Sequence, residues 1–199
     1  MYFVENEIFP IIDQHFHDGT FPSELIPKFA KMGFLGINLP AEFGGGGMSN
    51  ITYGLVCQEL ERGDSGIRSF VSVQGSLVIY PIFAYGSDEQ KNKWLPKLTS
   101  AEAIGCFGLT EPDFGSNPGG MQTKATKVDG GYTLNGTKMW ITNGSISDIA
   151  IVWAKTEDGI VRGFIVEKEM EGFTTPIMKN KWSLRASVTS ELILDNVFV

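Results

Sequence analysis

The feature that most constrains the fold of this chain is a change in hydrophobic period near residue 100. Before that point apolar residues recur at helical spacing, as in the stretch 51–60. After it, short apolar runs such as 149–154 alternate with glycine-bearing turn signals such as 128–132, a pattern typical of an antiparallel sandwich or barrel. The sequence therefore predicts an α+β chain, with a helical domain over residues 1–102 and an antiparallel β-barrel or β-sandwich domain over residues 103–199.

Local signals within the first hundred residues support the helical prediction. Ser49 precedes an amphipathic stretch and is a typical helix N-cap. The sequence Ser-Asp-Glu-Gln at 87–90 is a capping-box pattern that predicts another helix start. The segment 66–85 is apolar on nearly every face, which indicates a helix inside the protein.

Composition limits the kinds of partner that the chain could have. A formal charge of −7 and a pI near 4.9 argue against nucleic acid, because proteins that bind it usually present a basic face. No apolar run approaches the roughly 18 residues needed to cross a bilayer, and the first residues lack the basic start of a leader peptide. We therefore expect a soluble, unexported protein with no membrane or nucleic-acid partner.

Metal and nucleophile chemistry is not indicated. Cys57 and Cys106 lie in apolar segments, where unpaired buried thiols are common, and His15 and His17 share no spacing with other ligand types. The sequence contains no GxGxxG, GxxxxGK[ST] or GxSxG motif. We predict no disulfide, no metal site and no activated serine.

The loop at 105–119 is the first candidate ligand site. An apolar run ends abruptly after Thr110 at Glu-Pro and continues as a loop rich in glycine and serine. Backbone donors, hydroxyl groups and a nearby aromatic ring suit a large polar ligand with a flat ring system.

Trp140 and Thr142 form a second candidate element. They are two residues apart, so on a regular strand both would face the same side. Taken alone, the pair is better explained as a core tryptophan beside an edge threonine than as a ligand site. Together with the Thr110 loop, the pair makes a plausible cradle for a planar heterocycle.

Arg68 is unusual because it is a cation within an almost wholly apolar segment. An unpaired buried charge is strongly unfavourable, so Arg68 must reach water or find a partner. Glu61 could form a structural ion pair with it; alternatively, Arg68 with Ser69 beside it could bind the carboxylate of a ligand. The pattern alone slightly favours the ion pair.

Two motifs at matching distance resemble the paired flavin-binding signature of the acyl-CoA dehydrogenase family. They are Cys-Phe-Gly-Leu-Thr-Glu-Pro-x-x-Gly-Ser at 106–116 and Leu-Asn-Gly-Thr-Lys-x-Trp-Ile-Thr-Asn at 134–143. More narrowly, segments 59–69, 85–90 and 183–187 resemble the glutaryl-CoA dehydrogenase branch. The resemblance covers essentially the whole chain.

This resemblance implies a helical domain, a middle β-domain and a C-terminal four-helix domain in a homotetramer, the last domain being absent from these 199 residues. It implies that FAD is bound by residues of the two motifs, namely Phe107, Gly108, Leu109, Thr110, Glu111, Pro112, Gly115, Ser116, Trp140, Ile141 and Thr142. It also implies that Arg68, Ser69, Glu61 and Ser116 contact the acyl-CoA substrate, which raises the carboxylate-binding interpretation of Arg68 above the ion pair.

The implied reaction is FAD-dependent oxidation of glutaryl-CoA by α-proton abstraction and β-hydride transfer, followed by decarboxylation to crotonyl-CoA, with electrons leaving through electron-transfer flavoprotein. The family's catalytic glutamate belongs to the C-terminal domain, so no catalytic residue is assigned here and we expect the chain to be a fragment. A bacterial cytoplasm is the expected location, or the mitochondrial matrix if the source is eukaryotic. Two alternatives stay open: a dehydrogenase or oxidase for short monocarboxylic acyl-CoA, and a catalytically incomplete FAD- or acyl-CoA-binding fragment.

Overall fold

The computed structural model describes residues 2–199, which fall into two compact units. The helical unit comprises residues 2–104 and the segment Lys179–Val188, and the β-unit comprises Gly105–Met178 and Thr189–Val199. The predicted order of a helical domain followed by a β-domain is confirmed. The predicted boundary after residue 102 stays a prediction, and it did not anticipate that Lys179–Val188 lies with the helical unit.

The helical unit contains six α-helices. They are α1 (Phe9–Asp18), α2 (Ile26–Lys31), α3 (Asn50–Gly63), α4 (Ser65–Ser72), α5 (Tyr80–Tyr85) and α6 (Asp88–Thr99). A π-helical turn, Val4–Ile8, leads into α1, and a longer π-helical segment, Val73–Ile79, joins α4 to α5; short 3₁₀ turns lie at Ser23–Leu25 and Ala41–Phe43.

Side-chain caps define the starts of three helices, α3, α4 and α6. Ser49 accepts a hydrogen bond from the Thr52 N–H, and Ser87 and Gln90 form the predicted capping box, so both predicted caps are confirmed. Asp64 separates α3 from α4: its backbone is extended, and its side chain accepts from the N–H groups of Gly66 and Ile67. Glu61 and Arg68, the candidate substrate residues on either side of Asp64, therefore lie on separate helices, α3 and α4.

The continuous helical stretch Ser65–Tyr85 is 21 residues long and, among the described residues, is the one helix long and apolar enough to cross a membrane by length and composition. This differs from the expectation that no such run exists. It is weak evidence for a membrane span, because a core helix passes the same test, and Ile67, Phe70 and Val71 are buried in the helical unit.

The β-unit is a seven-stranded sheet. Its strands are β1 (Gly105–Gly108), β2 (Lys124–Val128), β3 (Gly131–Thr142), β4 (Ile149–Thr156), β5 (Val161–Glu167), β6 (Phe173–Thr174) and β7 (Thr189–Phe198). The strand order is β1-β4-β2-β3-β7-β6, with β5 also paired to β4. Buried residues of several strands, among them Cys106, Leu134, Ile141, Val152 and Leu192, form the core of this unit.

The sheet is mixed, whereas the sequence predicted antiparallel pairing throughout. Both β1 and β2 run parallel to β4, with Gly108 opposite Val152 and Lys124 opposite Lys155. β1 and β2 therefore pair in the same direction with successive parts of β4, β1 with residues 149–152 and β2 with residues 155–156. The loop 109–123 connects these two pairings, which explains why both are parallel.

Candidate functional site

The two motif segments are joined by hydrogen bonds within the β-unit. The Met139 N–H donates to the Thr110 carbonyl oxygen at 2.8 Å. The buried Asn143 side chain donates through Nδ2 to the Gly105 carbonyl oxygen at 3.4 Å. The start of the loop after β1 thus lies beside the end of β3, as the cradle prediction requires.

A β-bulge displaces Trp140 from the regular strand. The register between β3 and β7 shifts between Lys138 and Ile141, and Trp140 has φ 64°, a left-handed conformation that bulky residues rarely adopt. The Trp140 side chain is 58% exposed, while Ile141 is buried in the core. The simple alternation used to place Trp140 and Thr142 on one face therefore does not apply here, and the core-tryptophan alternative does not fit this exposure.

Asn143 is a second left-handed residue, at φ 68°, so left-handed positions flank Ile141 and Thr142. The strain lies at Trp140, because asparagine adopts this conformation readily. Local strain of this kind persists only where the surroundings determine the conformation, and it clusters at ligand sites. Trp140 and Thr142, at the end of β3, therefore form a candidate binding surface, which we call the ledge.

The hydroxyl groups of both segments are available to a ligand. Those of Thr110, Ser116 and Thr142 make no hydrogen bond to any other described residue, 2–199; Thr110 and Thr142 are half-buried, whereas Ser116 is exposed. Half-buried hydroxyls beside an exposed indole offer both hydrogen bonds and an apolar face. This donor set fits a flavin, whose ring system has polar edges and flat faces.

The other predicted cofactor residues have mixed environments. Phe107 is half-buried and packs edge-on against Trp153, with ring centroids 6.0 Å apart. A Cβ at Gly108 would lie 2.8 Å from the Leu192 Cδ1 atom, so a larger residue there would require the Leu192 side chain to move. Leu109 is half-buried, and Pro112 and Gly115 are exposed.

Glu111 is engaged within the protein. Its carboxylate forms an ion pair with Lys138 at 2.9 Å and accepts the backbone N–H groups of Gln122 at 2.6 Å and Thr123 at 2.9 Å. Burial alone would raise the pKa of Glu111, but these hydrogen bonds outweigh burial and lower the pKa to about 2. That Glu111 itself contacts a cofactor stays a prediction.

Lys138 is the residue of this site that sequence reasoning missed. Its side chain is fully buried, and burial lowers its pKa even though Glu111 opposes that shift. The sequence did contain a signal, because Lys138 is an even number of positions from the inward-facing Leu134 on a strand. A lysine on the core face needs a carboxylate partner, and Glu111 is the acidic residue of the neighbouring motif.

Arg68 lies in the helical unit, and its guanidinium group is partly committed. Its Nε donates to Glu61 at 2.5 Å across the α3–α4 break, and Nη1 donates to the Ser72 hydroxyl at 3.2 Å. Within the described chain, Nη2 has no hydrogen-bond partner. The Arg68 side chain is 33% exposed, so a ligand could reach it.

The residues around Arg68 include two serines that were not predicted. Ser65 donates to the Glu61 carboxylate at 2.5 Å, and this bond, together with the Arg68 bond, lowers the pKa of Glu61. Ser72 donates onward to the Ser69 carbonyl oxygen at 3.1 Å. Ser72 could have been found from its i+4 spacing to Arg68. The Ser69 hydroxyl makes no bond to another described residue.

Comparison with known families identifies the chain. Residues 2–102 match the acyl-CoA dehydrogenase N-terminal domain and residues 106–197 match the acyl-CoA dehydrogenase middle domain. The chain belongs to the acyl-CoA dehydrogenase family.

Individual relatives cover the whole chain but are about twice as long. A glutaryl-CoA dehydrogenase from Mycobacterium smegmatis, crystallised in complex with FADH2, is 55% identical with a TM-score of 0.97, over 100% of this chain and 51% of that one. An acyl-CoA dehydrogenase of Bacillus subtilis is 40% identical over 99% of this chain and 53% of its own length. The human mitochondrial short-chain specific acyl-CoA dehydrogenase is 35% identical over 98% and 48%. The chain thus spans about half the length of the curated relatives that it matches.

Proposed function

We propose that this chain forms part of an FAD-dependent enzyme that oxidises an acyl-CoA, and that the acyl-CoA is glutaryl-CoA. The observation that carries the substrate is Arg68, a partly exposed cation in an apolar helix with Nη2 unpartnered within residues 2–199. The high similarity to the mycobacterial glutaryl-CoA dehydrogenase over the whole chain supports the same substrate.

The cofactor is held, in this proposal, by the two joined segments of the β-unit. The Thr110 and Thr142 hydroxyls bond the polar edge of the flavin ring, and the exposed Trp140 indole covers one face of it. The remaining predicted residues, Phe107, Gly108, Leu109, Glu111, Pro112, Gly115, Ser116 and Ile141, shape or line the loop and strand end. When bound, FAD supplies the acceptor for the hydride that leaves the acyl chain.

The distal carboxylate of the substrate is held by Arg68 and Ser69. Glu61 and Ser72 occupy Nε and Nη1, which fixes the plane of the guanidinium group and leaves Nη2 for the ligand. A fixed cation at this position favours a dicarboxylic acyl group over an apolar chain, because an apolar chain would leave the charge without a ligand partner.

Further parts of the proposal rest on the family resemblance. They are contact of Ser116 with acyl-CoA, decarboxylation to crotonyl-CoA, electron transfer to electron-transfer flavoprotein, assembly as a homotetramer, a domain boundary after residue 102 and a bacterial cytoplasmic location. We assign no catalytic base among residues 2–199.

The substrate proposal is tested by replacing Arg68 with methionine in the FAD-supplied protein. We expect the Kd of glutaryl-CoA to rise by about 10- to 100-fold, since a charged hydrogen bond is lost, while the Kd of butyryl-CoA stays the same. Isothermal titration calorimetry measures both. Arg62→Met is the matched control, because Arg62 is also a partly exposed cation paired with glutamates, on α3.

A monocarboxylic substrate is the second candidate, favoured by the similarity to the human short-chain specific enzyme. Equal binding of glutaryl-CoA and butyryl-CoA, with no effect of Arg68→Met, would establish it over the first. A visible spectrum before and after anaerobic addition of glutaryl-CoA separates oxidation from binding alone. Loss of the flavin colour indicates that the acyl-CoA reduces FAD, and unchanged colour indicates a binding fragment.

A further inference from the structure

The Lys138–Glu111 ion pair contacts both candidate flavin-binding segments and also residues 121–123, at the end of the loop 109–123. The Lys138 ammonium donates to the Leu109 carbonyl oxygen at 3.1 Å, to Glu111 at 2.9 Å and to the Met121 sulfur at 3.9 Å. Glu111 in turn receives the N–H groups of Gln122 and Thr123, at the other end of the loop. A single buried pair therefore holds both ends of the loop 109–123 against β3.

The position of this pair along the chain links it to the candidate ligand groups. Leu109 and Glu111 flank Thr110, whose hydroxyl is available to a ligand, and Lys138 is two residues before the strained Trp140. The Met139 N–H, next to Lys138, bonds to the Thr110 carbonyl oxygen. The pair thus helps to set the distance between Thr110 and the β-bulge at Trp140.

We infer that Lys138 and Glu111 are positioning residues, which set the loop bearing Thr110 against the ledge of Trp140 and Thr142 so that both engage one flavin. The inference rests on the proposed function for the identity of the ligand. It assigns no direct flavin contact to Lys138.

Stability alone is a poor explanation for such a pair. Apolar residues of similar size often replace a buried ion pair with little loss of stability, because removing two charges from water is unfavourable. An apolar pair cannot supply directional hydrogen bonds. The three lysine donors and the carboxylate oxygens fix three chain segments at defined distances, and a strained residue such as Trp140 requires surroundings of that kind.

The test replaces the pair by neutral groups of similar size, as Glu111→Gln combined with Lys138→Met. We expect hydrogen exchange at the Met139 amide to accelerate by about tenfold and the Kd of FAD to rise by about tenfold, because a site held loosely binds its ligand less well. Exchange at the core amides of β4, Ile149–Thr156, should stay the same. Asp158→Asn combined with Arg162→Met is the matched control, since it neutralises an exposed pair of the same unit at 2.9 Å.

Three results would overturn the inference: unchanged Met139 exchange, faster exchange with an unchanged Kd of FAD, or equal acceleration across β4, which would indicate a purely structural pair. If the unaltered protein retains no FAD, the proposal that residues 2–199 alone hold the cofactor fails, and Met139 exchange then decides whether the pair positions the two segments.

Glu111→Asp provides a second variant if the double substitution prevents folding. It keeps both charges and removes one methylene, so the carboxylate reaches less far toward Lys138. We expect a smaller rise in the Kd of FAD, of about threefold, with the flavin absorption bands shifted in wavelength. Wild-type Kd and absorption bands in this variant would overturn the inference.

Discussion

The Arg68–Glu61 pair of the helical unit and the Lys138–Glu111 pair of the β-unit contain the same kinds of charge but differ in their exposure to water. Arg68 and Glu61 are 33% and 44% exposed, whereas Lys138 and Glu111 are 0% and 5% exposed. In the buried pair every ammonium donor has an acceptor within the protein. In the exposed pair Nη2 of Arg68 has none among residues 2–199.

This difference indicates which pair can serve a ligand directly. A buried charge must be fully matched within the protein, so the Lys138–Glu111 pair can influence a ligand only through the segments that it holds. A partly exposed pair contributes little to stability, and a donor without a protein partner remains for a ligand. Substitutions in the two pairs should therefore differ in their effects on stability and on ligand binding.

The largest effect is expected when the cation of the buried pair becomes methionine. Lys138→Met leaves the Glu111 carboxylate buried without its cation, which should reduce the unfolding free energy of the β-unit by about 3–5 kcal/mol. The same change at the exposed pair, Arg68→Met, should reduce that of the helical unit by about 1 kcal/mol or less. Hydrogen exchange of core amides in each unit measures both quantities.

The double variant Glu111→Gln with Lys138→Met is the control for this prediction. It removes both charges, so most of the loss in Lys138→Met should be recovered. Similar losses in Lys138→Met and Arg68→Met would contradict the distinction between the two pairs.

Local signals made much of the helical unit predictable, but the sheet was less so. The caps at Ser49 and Ser87 involve residues three positions apart, so a short stretch of sequence contains the whole interaction. The direction of β1 and β2 depends on pairing with β4, which is distant in sequence. Alternation of apolar residues identifies a strand but not the direction of its neighbour, and therefore the parallel pairs were missed.

The spacing of the two motifs made part of the candidate site predictable. The two motifs indicated that Thr110 and Trp140 belong to one site, and their segments are joined in the structure. The left-handed backbone at Trp140 was not predictable, because period two describes only regular strands. Ser65 is four residues after Glu61, the same spacing as Ser72 to Arg68, so the sequence contained this signal too, although the Asp64 break separates the two residues.

The buried pair should also make the β-unit sensitive to acid. The pKa of Glu111 is lowered from 4.5 to about 2, so its stabilising contribution is complete above about pH 5 and is lost as the pH falls through 2. The total is about 3 kcal/mol. Hydrogen exchange of β4 at pH 6 and pH 2.5 should show this loss in the wild type. The Glu111→Gln and Lys138→Met double variant should lack it; equal acid sensitivity in both proteins would exclude Glu111 as its source.

The smallest effect is expected at Glu61, which sharpens the comparison from the exposed side. Glu61→Gln should reduce the unfolding free energy of the helical unit by about 1 kcal/mol or less, because this pair is exposed to water. Hydrogen bonds from Ser65 and Arg68 lower the pKa of Glu61, so it carries a negative charge at neutral pH and repels an incoming carboxylate. Removing that charge should tighten glutaryl-CoA binding by about threefold, measured by calorimetry, with butyryl-CoA as the control ligand. Binding weakened by about tenfold would contradict this expectation: it would show that a neutral amide at position 61 cannot hold the Arg68 guanidinium group as the carboxylate does, and that this positioning outweighs the repulsion.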